Sequence, residues 1–268
     1  MNILIIGGGN MGLTYAQSFL RSHICSTEQM MILEKSEDKA VVLAQKNIGT
    51  VYGKPEDCIP GADLIILAVK PQDSAILFET IKPIVDQQQV FLSIMAGVQL
   101  KSIADALGVE KIIRAMPNLP AQLGQGMTVF TSTDSVTRIE LVTVQNLLNT
   151  TGKTIYVDQE QAIDAATAIS GSGPAYVWYF MNAMMEAAQK MGFSYSESEL
   201  LVHQTMLGAI ELYAASDLDA PTWIQRVASK GGTTEAALAS FKKTDLHEAI
   251  VKGANAALER AKVLSKQI

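Results

Sequence analysis

Cysteine and histidine are scarce in this sequence, and positive charge never clusters. Two cysteines, Cys25 and Cys58, cannot build a disulfide framework, and such sparing use fits a reducing compartment. The three histidines (His23, His203, His247) stand far apart without HxH or HExxH spacing, so no metal site is expected. Lys and Arg number 21 against 27 Asp and Glu, a net charge of −6 with no basic block. That balance argues against nucleic acid or an anionic membrane as a partner, and an anionic substrate would have to be held by local groups. Long apolar runs are missing too. Residues 2–6 are apolar but stop at glycine and lack a basic leader, which is too short for a signal peptide. The stretch 175–188 is broken by Asn182 and Glu186, so no bilayer span is expected. Repeats and low-complexity linkers are absent. Together these absences predict a soluble, cytoplasmic protein.

What is present is core-forming. The 268 residues are 48% hydrophobic and 18% charged, enough for one to two domains at about 150 residues each. Short apolar runs at 2–6, 30–34, 63–69, 90–94, 111–116, 127–131 and 153–157 read as strands. Helical segments such as 13–21, 39–46 and 100–107 lie between most of them. Wholly apolar strands alternating with helices predict an α/β fold with a parallel, doubly wound sheet covered on both faces. After Asp158 the pattern is helical only. Pro174 reads as a first-turn proline and Gly192 as the close of that helix, while Ser196 with Glu199 reads as a capping box. Further helices are expected from Pro221, from near Thr233, and from Asp245 to about Lys266. The expected division is 1–158, a dinucleotide-binding Rossmann-type domain, and 159–268, an all-helical domain. Tyr176, Val177, Trp178, Phe180, Met181, Met184 and Met185 nearly encircle one helix. A helix apolar all round must be covered on all sides, which points to a dimer with interlocking helices. A monomeric bundle with one central helix is the alternative.

The first strand runs into Gly7-Gly8-Gly9-Asn10-Met11-Gly12, a GxGxxG whose glycines are Gly7, Gly9 and Gly12. The first permits a tight turn and the second lets backbone approach a pyrophosphate. The third lets the helix pack on the strand with its amino end toward the phosphates. Strand–turn–helix context makes the motif specific for a dinucleotide. Glu34, 22 residues beyond Gly12, could accept from a ribose 2′-hydroxyl, as NAD requires. Lys35 and Ser36 could instead hold the 2′-phosphate of NADP, so the sequence leaves the choice open. Ligands of open parallel sheets sit beyond the strands' carboxyl ends. The turns Ala68-Val69-Lys70-Pro71, Met95-Ala96-Gly97 and the one holding Asn118 are therefore expected at the cofactor.

In the helical half, Ser229-Lys230-Gly231-Gly232-Thr233-Thr234-Glu235 places two glycines before a helix start. Converging backbone N–H groups and the helix dipole would there make a carboxylate-sized anion site without arginine. An ordinary threonine cap after a flexible turn is the competing reading. A second glycine-rich turn, Ser170-Gly171-Ser172-Gly173, would permit close backbone contact at a pocket wall or a dimer seam.

With these pieces assembled, the chain resembles pyrroline-5-carboxylate reductase. The motifs are GGGNMG at 7–12, AVKPQ at 68–72, MAG at 95–97, RAMPNLP at 114–120, SGSGPAY at 170–176 and GGTTEAAL at 231–238. The resemblance implies reduction of 1-pyrroline-5-carboxylate to L-proline with NADPH (NADP) or NADH (NAD), the last step of proline biosynthesis. Thr234 would bond the ring nitrogen as the catalytic residue. Backbone around Gly232 and Thr233, with Ser229, would hold the carboxylate. It also implies an obligate homodimer, assembled in some members into a decamer. Pro55, Lys230, Leu119 and Glu34 depart from the family's usual residues and bear on cofactor preference. A protonated imine accepts hydride readily, so no histidine or carboxylic acid is needed and catalysis becomes positioning. The rival readings are a Rossmann reductase of a 2-oxo or 3-oxo acid and a non-catalytic nucleotide-binding regulator.

Overall fold

The computed structural model describes residues 1–265. The chain runs β1 (Ile3–Ile6), α1 (Asn10–Arg21), β2 (Met30–Leu33), α2 (Glu37–Ala44), β3 (Thr50–Tyr52), β4 (Leu64–Leu67) and α3 (Ser74–Ile81). It continues with β5 (Val90–Ser93), α4 (Leu100–Leu107), β6 (Ile112–Met116), β7 (Gly126–Ser132), α5 (Arg138–Asn149), β8 (Gly152–Tyr156) and α6 (Gln161–Ala166). Five further helices complete it: α7 (Gly173–Lys190), α8 (Tyr195–Ala214), α9 (Ala220–Val227), α10 (Thr233–Lys243) and α11 (Leu246–Ser265).

The eight strands form one sheet in the order β3-β2-β1-β4-β5-β6-β7-β8. The order reverses at β1, the topological switch point of a doubly wound fold, where a crevice opens beyond the carboxyl ends of β1 and β4. Successive strand residues serve opposite faces, as the two-residue repeat requires. Ile3 and Ile5 of β1 join Leu64 and Ile66 of β4 beneath Tyr15 and Phe19 of α1 and Leu147 of α5. Leu4 and Ile6 join Ile65 and Leu67 beneath Phe78 of α3 and Ile103 of α4. Burying each such side chain stabilises the fold by about 1.5–3 kcal/mol.

Two features depart from the sequence reading. The sheet is mixed, because β6 and β7 pair antiparallel with Ala115 opposite Phe130. Only residues 117–125 join those strands, and a parallel return needs a crossover of about a dozen or more. The second departure is β3, a three-residue edge strand with Thr50 exposed and Val51 and Tyr52 half-buried, too short to show an apolar pattern.

By packing, the described chain divides into one compact unit of Met1–Ser172 with residues 257–265, and another of Gly173–Ala256. The break expected at Asp158 is therefore not where the compact units part. The reason is a polar anchor inside the first unit. Arg114 of β6 donates to Glu160 Oε1 at 2.8 Å and to Asp164 Oδ1 at 3.1 Å. Ser265, at the end of α11, donates to the same Asp164 oxygen at 2.8 Å, and the Leu100 N–H donates to Glu160 at 2.8 Å. Gly97 packs against the backbone of Leu264, 3.2 Å from where a Cβ would stand.

In the second unit, α7 packs against α8. Pro174 falls in the first turn of α7, and Gly192 follows its end at φ +107°. The capping box of α8 is Ser194 with Glu197, two residues before the expected pair. Asp219 caps α9, accepting from the Thr222 N–H at 3.0 Å. The last helix opens after Asp245, at φ +51°, and is described to Ser265; its expected end at Lys266 lies outside the described residues. Among the described residues, α7, α9 and α10 bury no side chain within the single chain. Trp178 is 52% and Ile210 59% exposed. A central buried helix, which a monomeric bundle would need, is not what α7 provides. No helix is long and apolar enough to cross a membrane among the described residues.

Candidate active site

The crevice at the switch point is built by glycine. Gly7 sits at φ +110°, a conformation open to glycine, and a Cβ there would lie 2.8 Å from the Ala68 carbonyl oxygen. A Cβ on Gly12 would lie 2.2 Å from the carbonyl oxygen of Gly7. Gly9, the cap of α1, is different: its Cβ would meet no described atom within 4 Å. Two glycines thus hold the turn closed on itself, while the third leaves backbone bare toward solvent at a helix amino end. Asn10, Met11 and Gly12 supply the first turn of α1, whose amides have no partner within the helix. This donor set fits a dinucleotide pyrophosphate.

A cavity of about 340 Å³ opens beside the turn, lined by Gly7, Gly9, Glu34, Lys35, Ala68 and Lys70 among others. Val69 lines it too, and Pro71 follows. A larger cavity, about 530 Å³, lies at the amino ends of β1, β4 and β5 beside Met1, Asp63 and Val90, the wrong edge of the sheet for a Rossmann ligand.

At the end of β2, the Glu34 carboxylate accepts from the Gly8 N–H at 3.3 Å and from the Ser36 N–H at 3.0 Å. Lys35 lies on the exposed rim of the same cavity, its ammonium 3.5 Å from Asp73, which also lines it. The remaining predicted turns are tied into the protein. Met95 is buried in the core, Ala96 is half-buried, and Gly97 lies at φ +78° against α11. Asn118 donates to the Ser170 carbonyl at 3.0 Å and accepts from the Met127 N–H at 2.9 Å. Ser170 and Gly171 lie in a π-helical turn, and a Cβ on Gly171 would stand 2.9 Å from Met116 Cε. The glycine-rich turn before α7 therefore serves close contact with the end of β6.

In the second unit, Gly231 adopts φ +75° and Gly232 caps α10, donating its N–H to the Ser229 carbonyl at 3.0 Å. A Cβ on Gly232 would lie 2.6 Å from Ser229 Oγ. The cap is thus glycine rather than threonine. Thr233 and Thr234 occupy the first two helical positions with their amides at the head of the helix. One residue at this mouth was not singled out from the sequence. Glu235 accepts from the Gly231 N–H at 2.7 Å and so locks the glycine turn. Its place three residues after the cap, where a capping-box acid stands, was the available signal.

Comparison with known proteins agrees with this architecture. The pyrroline-5-carboxylate reductase dimerisation family matches residues 160–264, and the family described as NADP oxidoreductase coenzyme F420-dependent matches residues 2–97. The former begins close to the sequence-expected boundary rather than at the packing boundary. Pyrroline-5-carboxylate reductase of Pseudomonas aeruginosa is 32% identical over 99% of this chain and 97% of its own length. The solved pyrroline-5-carboxylate reductase of Coxiella burnetii aligns with a TM-score of 0.90 at 31% identity, covering 98% of both chains. The Plasmodium falciparum enzyme, solved with NADP bound, gives 0.89 at 27% identity over 99% of this chain and 98% of that one. Such coverage in both sequence and fold places the chain in the pyrroline-5-carboxylate reductase family.

Proposed function

We propose that this chain, an NAD(P)H-dependent reductase converting 1-pyrroline-5-carboxylate to L-proline, holds the dinucleotide on the turn after β1 and the substrate at the amino end of α10. The observation that carries the substrate assignment is the turn into α10. Gly231 and Gly232 bring the chain into the helix without a side chain at the cap, and with Glu235 taking the Gly231 N–H the amides of Thr233 and Thr234 are left to an incoming anion. Backbone around Thr233, with Ser229, holds the substrate carboxylate, and Gly232, whose own N–H is donated to the Ser229 carbonyl, shapes the turn. The Thr234 hydroxyl orients the ring nitrogen. No histidine or carboxylic acid is needed, because the imine nitrogen arrives protonated and its carbon is already electrophilic.

Bound in the crevice, the dinucleotide supplies the hydride. Gly7, Gly9, Asn10, Met11 and Gly12 receive its pyrophosphate, and Glu34, Lys35 and Ser36 face its adenosine ribose. Ala68, Val69, Lys70 and Pro71 wall the crevice. Met95, Ala96, Gly97 and Asn118 act by shaping their turns, consistent with the burial of Met95 and the internal bonds of Asn118.

The homodimer covers the apolar helices of the second unit. Assembly of such dimers into a decamer follows the family resemblance, and sedimentation velocity measures it. The two free, buried cysteines support a cytoplasmic location; burial pushes the Cys58 thiol up to about 11. The function is tested by following NADH and NADPH oxidation in parallel with pyrroline-5-carboxylate, glyoxylate and 3-oxo acids. Turnover of the cyclic imine is expected. Faster turnover of the oxo acids would reassign the chain, and nucleotide binding without imine turnover would favour a regulator.

A further inference from the structure

We infer that Glu34 selects against the 2′-phosphate of the dinucleotide, so that this chain binds NADH more tightly than NADPH. The inference rests on the proposed use of the glycine turn as the dinucleotide site. Glu34 ends β2 beside the crevice, where a Rossmann fold meets the adenosine ribose. The residue is 9% exposed, and its carboxylate is fixed from two sides by the Gly8 and Ser36 N–H groups. An ionised carboxylate offers about four acceptor sites, so both oxygens keep lone pairs for ribose hydroxyls. A Cβ on Gly8 would stand 3.1 Å from Glu34 Oε2 and 2.4 Å from Leu43 Cδ1, so glycine is what lets the carboxylate close on the loop.

The same arrangement takes away the backbone donor a phosphate would use and sets fixed negative charge beside it. Ser36 caps α2, and the backbone N–H it could offer an anion is already donated to Glu34. The first turn of α2 carries Glu37 and Asp38, so the helix dipole there faces acids of the chain itself. Lys35, which the sequence offered as a phosphate ligand, pairs with Asp73. Lys39 and Lys70 also line the cavity and would attract a phosphate. Both are exposed, so water and salt screen them more than the buried carboxylate. NADP remains a ligand under this reading; the order of affinities is what Glu34 sets.

The test is binding without substrate, by titration calorimetry with NADH and NADPH on the wild type, Glu34→Gln and Glu34→Ser. The wild type is expected to bind NADPH at least about tenfold more weakly than NADH, the effect of about 1.4 kcal/mol. Both variants should bring the ratio of the two dissociation constants toward one, mainly through tighter NADPH. Because the ratio is internal to each variant, a general loss of folding cannot imitate this result. Equal or tighter NADPH binding by the wild type, or an unchanged ratio in both variants, overturns the inference. Failure of the wild type to bind either dinucleotide overturns the underlying assignment of the glycine turn, and this inference with it.

Discussion

Arg114 and Asp164 form an ion pair at 3.1 Å with side chains only 2% and 12% exposed, joining the middle of the sheet to the helix that follows it. Glu160 shares the guanidinium and Ser265 shares the carboxylate. Removing one partner of a buried pair leaves the other charge without its counter-ion, at a cost of roughly 3–5 kcal/mol. Asp164→Ala should therefore lose about 3 kcal/mol in urea denaturation, the low end because Glu160 still holds Arg114. A loss below about 1 kcal/mol would show that the pair anchors nothing.

Gly9 and Gly12 should separate stability from binding. Gly12→Ala forces a Cβ against backbone and should destabilise the protein by about 1–3 kcal/mol or more. Gly9→Ala places its methyl in open space and should cost less than about 1 kcal/mol. Its dinucleotide affinity should nonetheless fall about tenfold or more, because the pyrophosphate needs the bare backbone. Unimpaired binding by folded Gly9→Ala protein would remove this glycine from the site.

Thr234→Ala removes one hydrogen-bonding partner of the substrate, a loss of about 1–3 kcal/mol. The expected result is a 10- to 100-fold drop in kcat/KM, about what that energy implies, with thermal stability unchanged. Wild-type kinetics in this variant would exclude Thr234 from the mechanism.

Glu140 should give acid sensitivity of a defined sign. Burial raises its pKa, but hydrogen bonds from Lys111 and Thr137 outweigh burial and hold the carboxyl below its ordinary 4.5. A group whose pKa is lowered by folding stabilises the protein above its unfolded value and loses that contribution as pH falls through the folded value. Glu140→Gln should thus cost about 1 kcal/mol at neutral pH. Denaturation curves of mutant and wild type should converge as pH falls below 4.5. A difference that stays constant down to pH about 3 would contradict this assignment.

Local chemistry wrote much of this protein into its sequence. Tight turns, helix starts and strands buried on both faces depend on a few adjacent residues, so the turn at Gly7–Gly12, the run Leu64–Leu67 and the entry to α10 were legible. Other features arose from residues distant in sequence. Arg114 reads as one letter of a motif until Glu160 and Asp164, 46 and 50 positions on, meet its guanidinium. Likewise, β3 gains its identity by pairing with β2, and β7 takes its direction from a connection too short for a crossover. Glu34, Lys35 and Ser36 were three competing ligands in one dimension. Only the folded chain spent the Ser36 amide on Glu34 and sent Lys35 to Asp73, because charge and hydrogen-bond pairing are decided by distance through space.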